Sequence, residues 1–195
     1  MRAICHVTVF CGVVFACGVA FAQSGSDPAR GAVKAVACET CHGAPQRPPT
    51  GSAPLLAGQQ REFLVLQMFY MREGLREVPQ KAGVFKGYSD RDLEDVAAYY
   101  ATQTSPRGNG NPDLTLHALG ANLSRTLGCG SCHLPDYRGQ RHVPRLSNQR
   151  EDYLTVALRD YRDNKRTGTD TSMNGVMYQV TDSEIRALAH YLAHQ

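Results

Sequence analysis

Past its first two dozen residues, the 195-residue sequence has no apolar run long enough to cross a bilayer as a helix. It has no basic stripe either. The 21 basic and 18 acidic residues are scattered and leave a net charge of +3, so the footprint of a nucleic-acid-binding protein is absent. No window alternates apolar and polar residues in the manner of a half-buried strand. No spacing favours a Ser-His-Asp triad or a carboxylate pair. Charge fraction and hydrophobicity are ordinary, which excludes wholesale disorder.

Cysteine is the residue whose shortage becomes informative. Residues 1–22 read as an export signal: Arg2 is the positive start, Val7 to Val19 a 13-residue apolar stretch, and Ala20-Phe21-Ala22 a small-x-small cleavage site before Gln23. Thirteen residues are too few to span a membrane comfortably. Removing the segment takes Cys5, Cys11 and Cys17 with it and leaves a net charge of +2. Of seven cysteines four remain, and every one lies in a C-x-x-C-H motif. No thiol is left over for a disulfide framework, although an exported chain would permit one.

What is present is a duplication. Cys38-Glu39-Thr40-Cys41-His42 recurs as Cys129-Gly130-Ser131-Cys132-His133. Pro54-x-Leu56-x-x-Gln59 recurs as Pro144-x-Leu146-x-x-Gln149. Ser89-Asp90-x-Asp92-Leu93 matches Thr181-Asp182-x-Glu184-Ile185, and Ala97-x-Tyr99 matches Ala189-x-Tyr191. The landmarks keep their order with an offset of 90 to 92, the mark of an internal repeat. Between the copies, residues 104–112 are dense in Pro, Gly, Asn and Ser, as a linker is. We therefore expect domains at 23–103 and 113–195, each so small that a large apolar cofactor would have to complete its core.

Each half reads as helical, and the class is all-α. Asp27-Pro28 is an N-cap with proline at the first helical position, opening a helix toward Cys38. Gln59 to Arg76 carries a broad apolar face through Phe63, Leu64, Leu66, Met68, Phe69 and Met71. Ser89-x-x-Asp92 and Thr181-x-x-Glu184 read as capping boxes at the start of each closing helix, with Glu the better fit.

Two cysteines one helical turn apart can add to the two vinyl groups of a haem, and the next residue, His, then reaches the iron. C-x-x-C-H is accordingly the signature of covalent haem c attachment. A thioredoxin-like redox pair would sit in a strand-rich unit, and a zinc site would need both motifs to converge. We expect two haem c groups, held by Cys38 and Cys41 and by Cys129 and Cys132, with His42 and His133 as axial ligands.

A sixth ligand is the next requirement. Met173-Asn174-Gly175-Val176 lies in a stretch rich in helix breakers that reads as a loop, with Met177 as the local competitor. In the first half Lys81-Ala82-Gly83-Val84 occupies the same register, so Lys81 stands where Met173 would be. A lysine binds iron only through its neutral amine. Lys86 is a second cationic option there, and Met68 and Met71 read as core at helical spacing. His117, His142, His190 and His194 match no motif and read as exposed polar residues.

Together the paired C-x-x-C-H openings, the Pro-x-Leu-x-x-Gln segments and the closing helices ending in Ala-x-Tyr resemble a diheme class I cytochrome c of the cytochrome c4 type, over nearly the whole chain after residue 22. The resemblance implies two tandem cytochrome domains, each wrapped around one haem, with the haems close enough to exchange electrons. It implies a periplasmic electron carrier, soluble or membrane-associated, between a respiratory donor and an acceptor such as a terminal oxidase. It also implies a methionine eight residues before the Ser/Thr-Asp of each closing helix: Met173 fits, and Lys81 departs. Without a methionine at its first haem, the chain could instead be a peroxidase-like haem enzyme or the electron-accepting subunit of a periplasmic dehydrogenase. Diheme thiosulfate dehydrogenases use a cysteine as sixth ligand, and no cysteine is spare here. The partners expected are redox proteins, with no nucleic acid and no membrane span after residue 22.

Overall fold

The computed structural model describes residues 25–43, 49–105, 110–166 and 171–195. The expected export signal lies outside them, as do positions 106–109 of the expected linker. The described residues form eight α-helices: α1 Pro28–His42, α2 Arg61–Arg72, α3 Asp90–Thr102, α4 Leu114–Thr126, α5 Cys129–His133, α6 Glu151–Arg162, α7 Ser172–Met177 and α8 Asp182–Ala193. A 3-10 turn, Pro79–Lys81, precedes α3. No strand occurs among them, only one isolated bridge between Gln140 and Val143. The fold is all-α, as expected.

Side chains at the helix starts explain where the helices begin. Asp27 accepts from the Ala29 and Arg30 amides at the head of α1, and Asp113 from Thr115 and Leu116 at the head of α4. Both capping boxes form, so Asp92 closes its box as Glu184 does. Each half then crosses its first and last helices at a glycine. A Cβ on Gly31 would lie 1.9 Å from the Asp95 carbonyl oxygen, and one on Gly120 would lie 2.1 Å from that of Ala187. Only a residue without a side chain lets these backbones approach so closely.

The two halves have separate cores. Leu64, Met68, Leu93, Val96 and Tyr100 are buried together in one, and Leu154, Leu158, Ile185, Leu188 and Leu192 in the other. Each such side chain contributes roughly 1.5–3 kcal/mol on burial.

Two local expectations are corrected. The helix expected to reach Arg76 ends at Arg72, because Gly74 turns left-handed (φ 71°) and the Leu75 and Arg76 amides fold back onto the Tyr70 carbonyl. The segment holding Met173 is the short helix α7, not a loop. Asn174 anchors it, its Nδ2 donating to the Tyr161 carbonyl at 2.9 Å and to Asn164 Oδ1 at 3.1 Å.

Candidate functional site

In the first half Cys38, Cys41 and His42 occupy the last turn of α1. In the second half Gly128 (φ 68°) interrupts the helix, and Cys129, Cys132 and His133 form the separate turn α5. In both, the histidine is oriented identically: Nδ1 of His42 donates to the Pro54 carbonyl at 2.9 Å, and Nδ1 of His133 to that of Pro144 at 2.9 Å. A carbonyl only accepts, so Nδ1 carries the proton and Nε2 keeps its lone pair for a metal. Burial pushes His42 down to about 4, against the pull of the Pro54 carbonyl, and lowers His133 in the same way. Both rings are therefore neutral at pH 7, the form that ligates iron.

The thiols suit the same chemistry. None of the four is in a disulfide, and burial raises the Cys38 and Cys129 thiols above their usual range. The Tyr100 hydroxyl, buried in the same core that Cys38 packs against, lacks a hydrogen-bond partner of normal geometry. Uncharged thiols beside a neutral imidazole with a free Nε2 are what a covalently attached, iron-centred apolar group requires, and the residues fit a haem.

The residues expected at the sixth position differ between the halves. Met177 is 1% exposed and belongs to the second core, whereas Met173 is half-buried and packs against that core from outside. Of the two, Met173 is the less buried. In the first half Met68 is buried and Met71 packs on the same core, while Lys86 is exposed. Lys81 is half-buried at the end of the 3-10 turn, and its charge bears on both His42 and Cys38.

The Pro-x-Leu-x-x-Gln repeat has a function that its spacing did not reveal. Gln59 donates from Nε2 to the Arg145 carbonyl at 3.1 Å and accepts from the Arg145 amide at 2.6 Å. Gln149 does the same to Leu55, at 2.9 and 2.8 Å. Leu55 and Arg145 each follow the proline whose carbonyl holds a histidine. Each half thus clamps the peptide beside the imidazole of the other half's C-x-x-C-H motif. Arg145 adds bonds to the Ala57 and Gly58 carbonyls at 3.0 and 3.2 Å.

The histidines outside the motifs also differ from expectation. Of the four read as exposed, His142 is, His117 and His194 are half-buried, and His190 is buried. Its Nε2 accepts from the Asp113 amide at 2.9 Å, so Nδ1 carries the proton and donates to Glu151 Oε2 at 2.9 Å. Glu151, His190 and His194 bring their donor atoms within 4.8 Å of one another. Both His190 nitrogens are already engaged, so the ring serves as a structural joint. No signal in the sequence marked it.

Comparison with known proteins agrees with this geometry. The cytochrome c family model matches residues 117–195. Cytochrome c4 of Pseudomonas aeruginosa is 32% identical over 180 residues, 88% of this chain and 90% of that protein. The chain belongs to the cytochrome c4 family. The crystal structure of reduced recombinant cytochrome c4 from Pseudomonas stutzeri superposes with a TM-score of 0.78 at 32% identity, covering 87% of this chain and 98% of that one. A thiosulfate dehydrogenase electron acceptor of Thiomonas intermedia is 28% identical over 174 residues, 83% of this chain and 80% of that protein. Membership makes the chain an electron carrier with two covalently bound haem c groups, not an enzyme. No helix among the described residues is long and apolar enough to cross a membrane.

Proposed function

We propose that the two haem sites are unlike and that the difference gives the chain a direction for electron flow. Cys38 and Cys41 attach the first haem and Cys129 and Cys132 the second, with His42 and His133 as proximal ligands. Met173 is the sixth ligand of the second iron, and Lys81 stands at the sixth position of the first. When bound, each haem supplies an iron that gains and loses one electron. The chain's own residues hold the imidazoles in one tautomer through Pro54 and Pro144, exclude water with the two cores, and set the irons apart electronically through unlike sixth ligands. A thioether raises the potential, so the second haem is the higher and the first the point of entry. The observation that carries this is the shared register of Lys81 and Met173.

In this reading residues 1–22 direct export to the periplasm, and the domains are 23–103 and 113–195 with a linker at 104–112. The electron donor and the acceptor, a terminal oxidase among the candidates, are redox proteins of that compartment. The similarity to a thiosulfate dehydrogenase electron acceptor favours a second reading for the donor side, a periplasmic dehydrogenase. Intact mass spectrometry tests the loading: the mature chain starts at or near Gln23 and carries two haems that survive acid–acetone extraction. One haem, or a retained Met1, contradicts it.

A further inference from the structure

The peptide that follows each motif proline is hydrogen-bonded at both of its polar ends. The Pro54 carbonyl accepts from Nδ1 of His42 at 2.9 Å, and the amide of that same peptide, Leu55 N–H, donates to Gln149 Oε1 at 2.8 Å. In the other half the Pro144 carbonyl accepts from His133 at 2.9 Å, and Arg145 N–H donates to Gln59 Oε1 at 2.6 Å. One peptide unit therefore joins each motif histidine to a glutamine of the opposite half.

Each glutamine is fixed from several sides. Gln149 Oε1 also accepts from the Arg150 amide at 3.0 Å, and Gln59 Oε1 from the Gln60 amide at 2.9 Å. Their Nε2 groups donate to the Leu55 and Arg145 carbonyls at 2.9 and 3.1 Å. Gln149 is 2% and Gln59 5% exposed, so the bonds lie where a low dielectric strengthens them.

Hydrogen bonds in series across an amide reinforce one another. An N–H that donates to a glutamine oxygen sends electron density toward its own carbonyl. That carbonyl becomes the better acceptor, the imidazole N–H is drawn toward it, and Nε2 becomes the more basic ligand. The proton stays on Nδ1 throughout. A more basic ligand favours ferric over ferrous iron, so each glutamine holds a potential down.

We propose that the glutamines tune the irons crosswise: Gln149 lowers the potential of the first haem through His42, and Gln59 that of the second through His133. Both are positioning residues, acting through a peptide and not on the histidines directly. The inference rests on the diheme reading above, in which His42 and His133 hold the irons. It does not depend on which groups fill the sixth positions.

The test uses the holoprotein, with haem stoichiometry measured first. Fewer than two covalent haems in the wild type overturns the diheme reading; with two present, the outcomes bear on the tuning alone. Proton NMR assigns each haem's methyl signals to a half by their contacts with neighbouring side chains, and follows them through a redox titration. At a fixed applied potential, Gln149→Leu is expected to raise the ferrous:ferric ratio of the first haem about two- to four-fold, and Gln59→Leu that of the second. The haem of the half that carries the substitution should move far less. Redox-difference infrared spectra of protein labelled with carbon-13 at its proline carbonyls read the bond itself. The band that follows the first haem should rise in frequency in Gln149→Leu, and the band that follows the second in Gln59→Leu, because a weaker hydrogen bond stiffens the carbonyl. Where a leucine variant fails to load both haems, wild type labelled with carbon-13 at its glutamine side-chain carbonyls decides. One labelled band should then move with the oxidation of each haem, as its histidine becomes the stronger donor. Potentials that move equally at both haems in each variant, as a merely loosened junction would give, overturn the crosswise tuning. So do potentials that move only in the substituted half, or labelled glutamine bands that ignore the redox state.

Discussion

The first and second halves are one design built twice, and the places where they diverge separate frame from function. Both cross their terminal helices at a glycine, and both hold the imidazole of the C-x-x-C-H motif through a proline carbonyl. Both send a glutamine to the peptide beside the other's histidine. They part where the first helix is clamped. In the first half Asp95, 1% exposed, receives the Asp27 amide at 2.6 Å and the Arg30 guanidinium at 2.8 and 2.9 Å. In the second, His190 receives the Asp113 amide, and Ala187 stands in the register of Asp95. They part again where Lys81 of the first half stands in the register of Met173 of the second. Packing geometry is thus common to the halves, while the clamp and the residue in that register differ.

The strongest way to break the symmetry is at the crossings. Gly31→Ala and Gly120→Ala each drive a Cβ into backbone that cannot yield, and each is expected to cost about 3 kcal/mol. Denaturant unfolding followed by far-UV dichroism reads it, and similar losses in the two variants would bear out the equivalence of the crossings. Next come the interlocked glutamines, which are 5% and 2% exposed. Gln59→Ala and Gln149→Ala should each remove roughly 2 kcal/mol, because a backbone amide and a carbonyl are left buried and unpaired. Calorimetry should then resolve one transition into two as the halves uncouple.

The clamp sharpens the comparison by pH. Arg30 holds the Asp95 carboxyl below its usual range, outweighing burial. A depressed carboxyl contributes stability that is complete above its unfolded value, near 3.9, and is lost as pH falls through the folded one. The first half should therefore lose stability below about pH 4. Asp95→Asn should be less stable than wild type at pH 7 and show a flatter acid limb in unfolding measured at several pH values. An unchanged acid limb would mean that the ion pair contributes nothing.

Much of this was legible from residues alone. The repeated landmarks gave the all-α class and the haem motifs, and the capping residues Asp27, Ser89 and Thr181 stand where their helices start. What escaped depended on contacts across the fold. The repeat exposed Gln59 and Gln149 without their partners, because no local pattern says that a glutamine will bond to a backbone 86 or 94 positions away. His190 looked exposed because its partners come from α6 and from the residue before α4. The end of α2 was missed because Gly74 outweighs an apolar pattern that continues past it. The breaker-rich run before Met173 hid a helical turn that Asn174 pins from the side.

The central claim is that two like frames hold unlike irons, and a spectrally resolved potentiometric titration of the holoprotein tests it most directly. Two steps are expected. The higher-potential haem alone should carry the near-infrared charge-transfer band of a sulfur–iron bond in its ferric form. Met173→Ala should abolish that band and lower that step, while Met177→Ala leaves the band in place. Two haems with equal potentials and equal sulfur–iron bands, or a band lost in Met177→Ala and kept in Met173→Ala, would contradict the account.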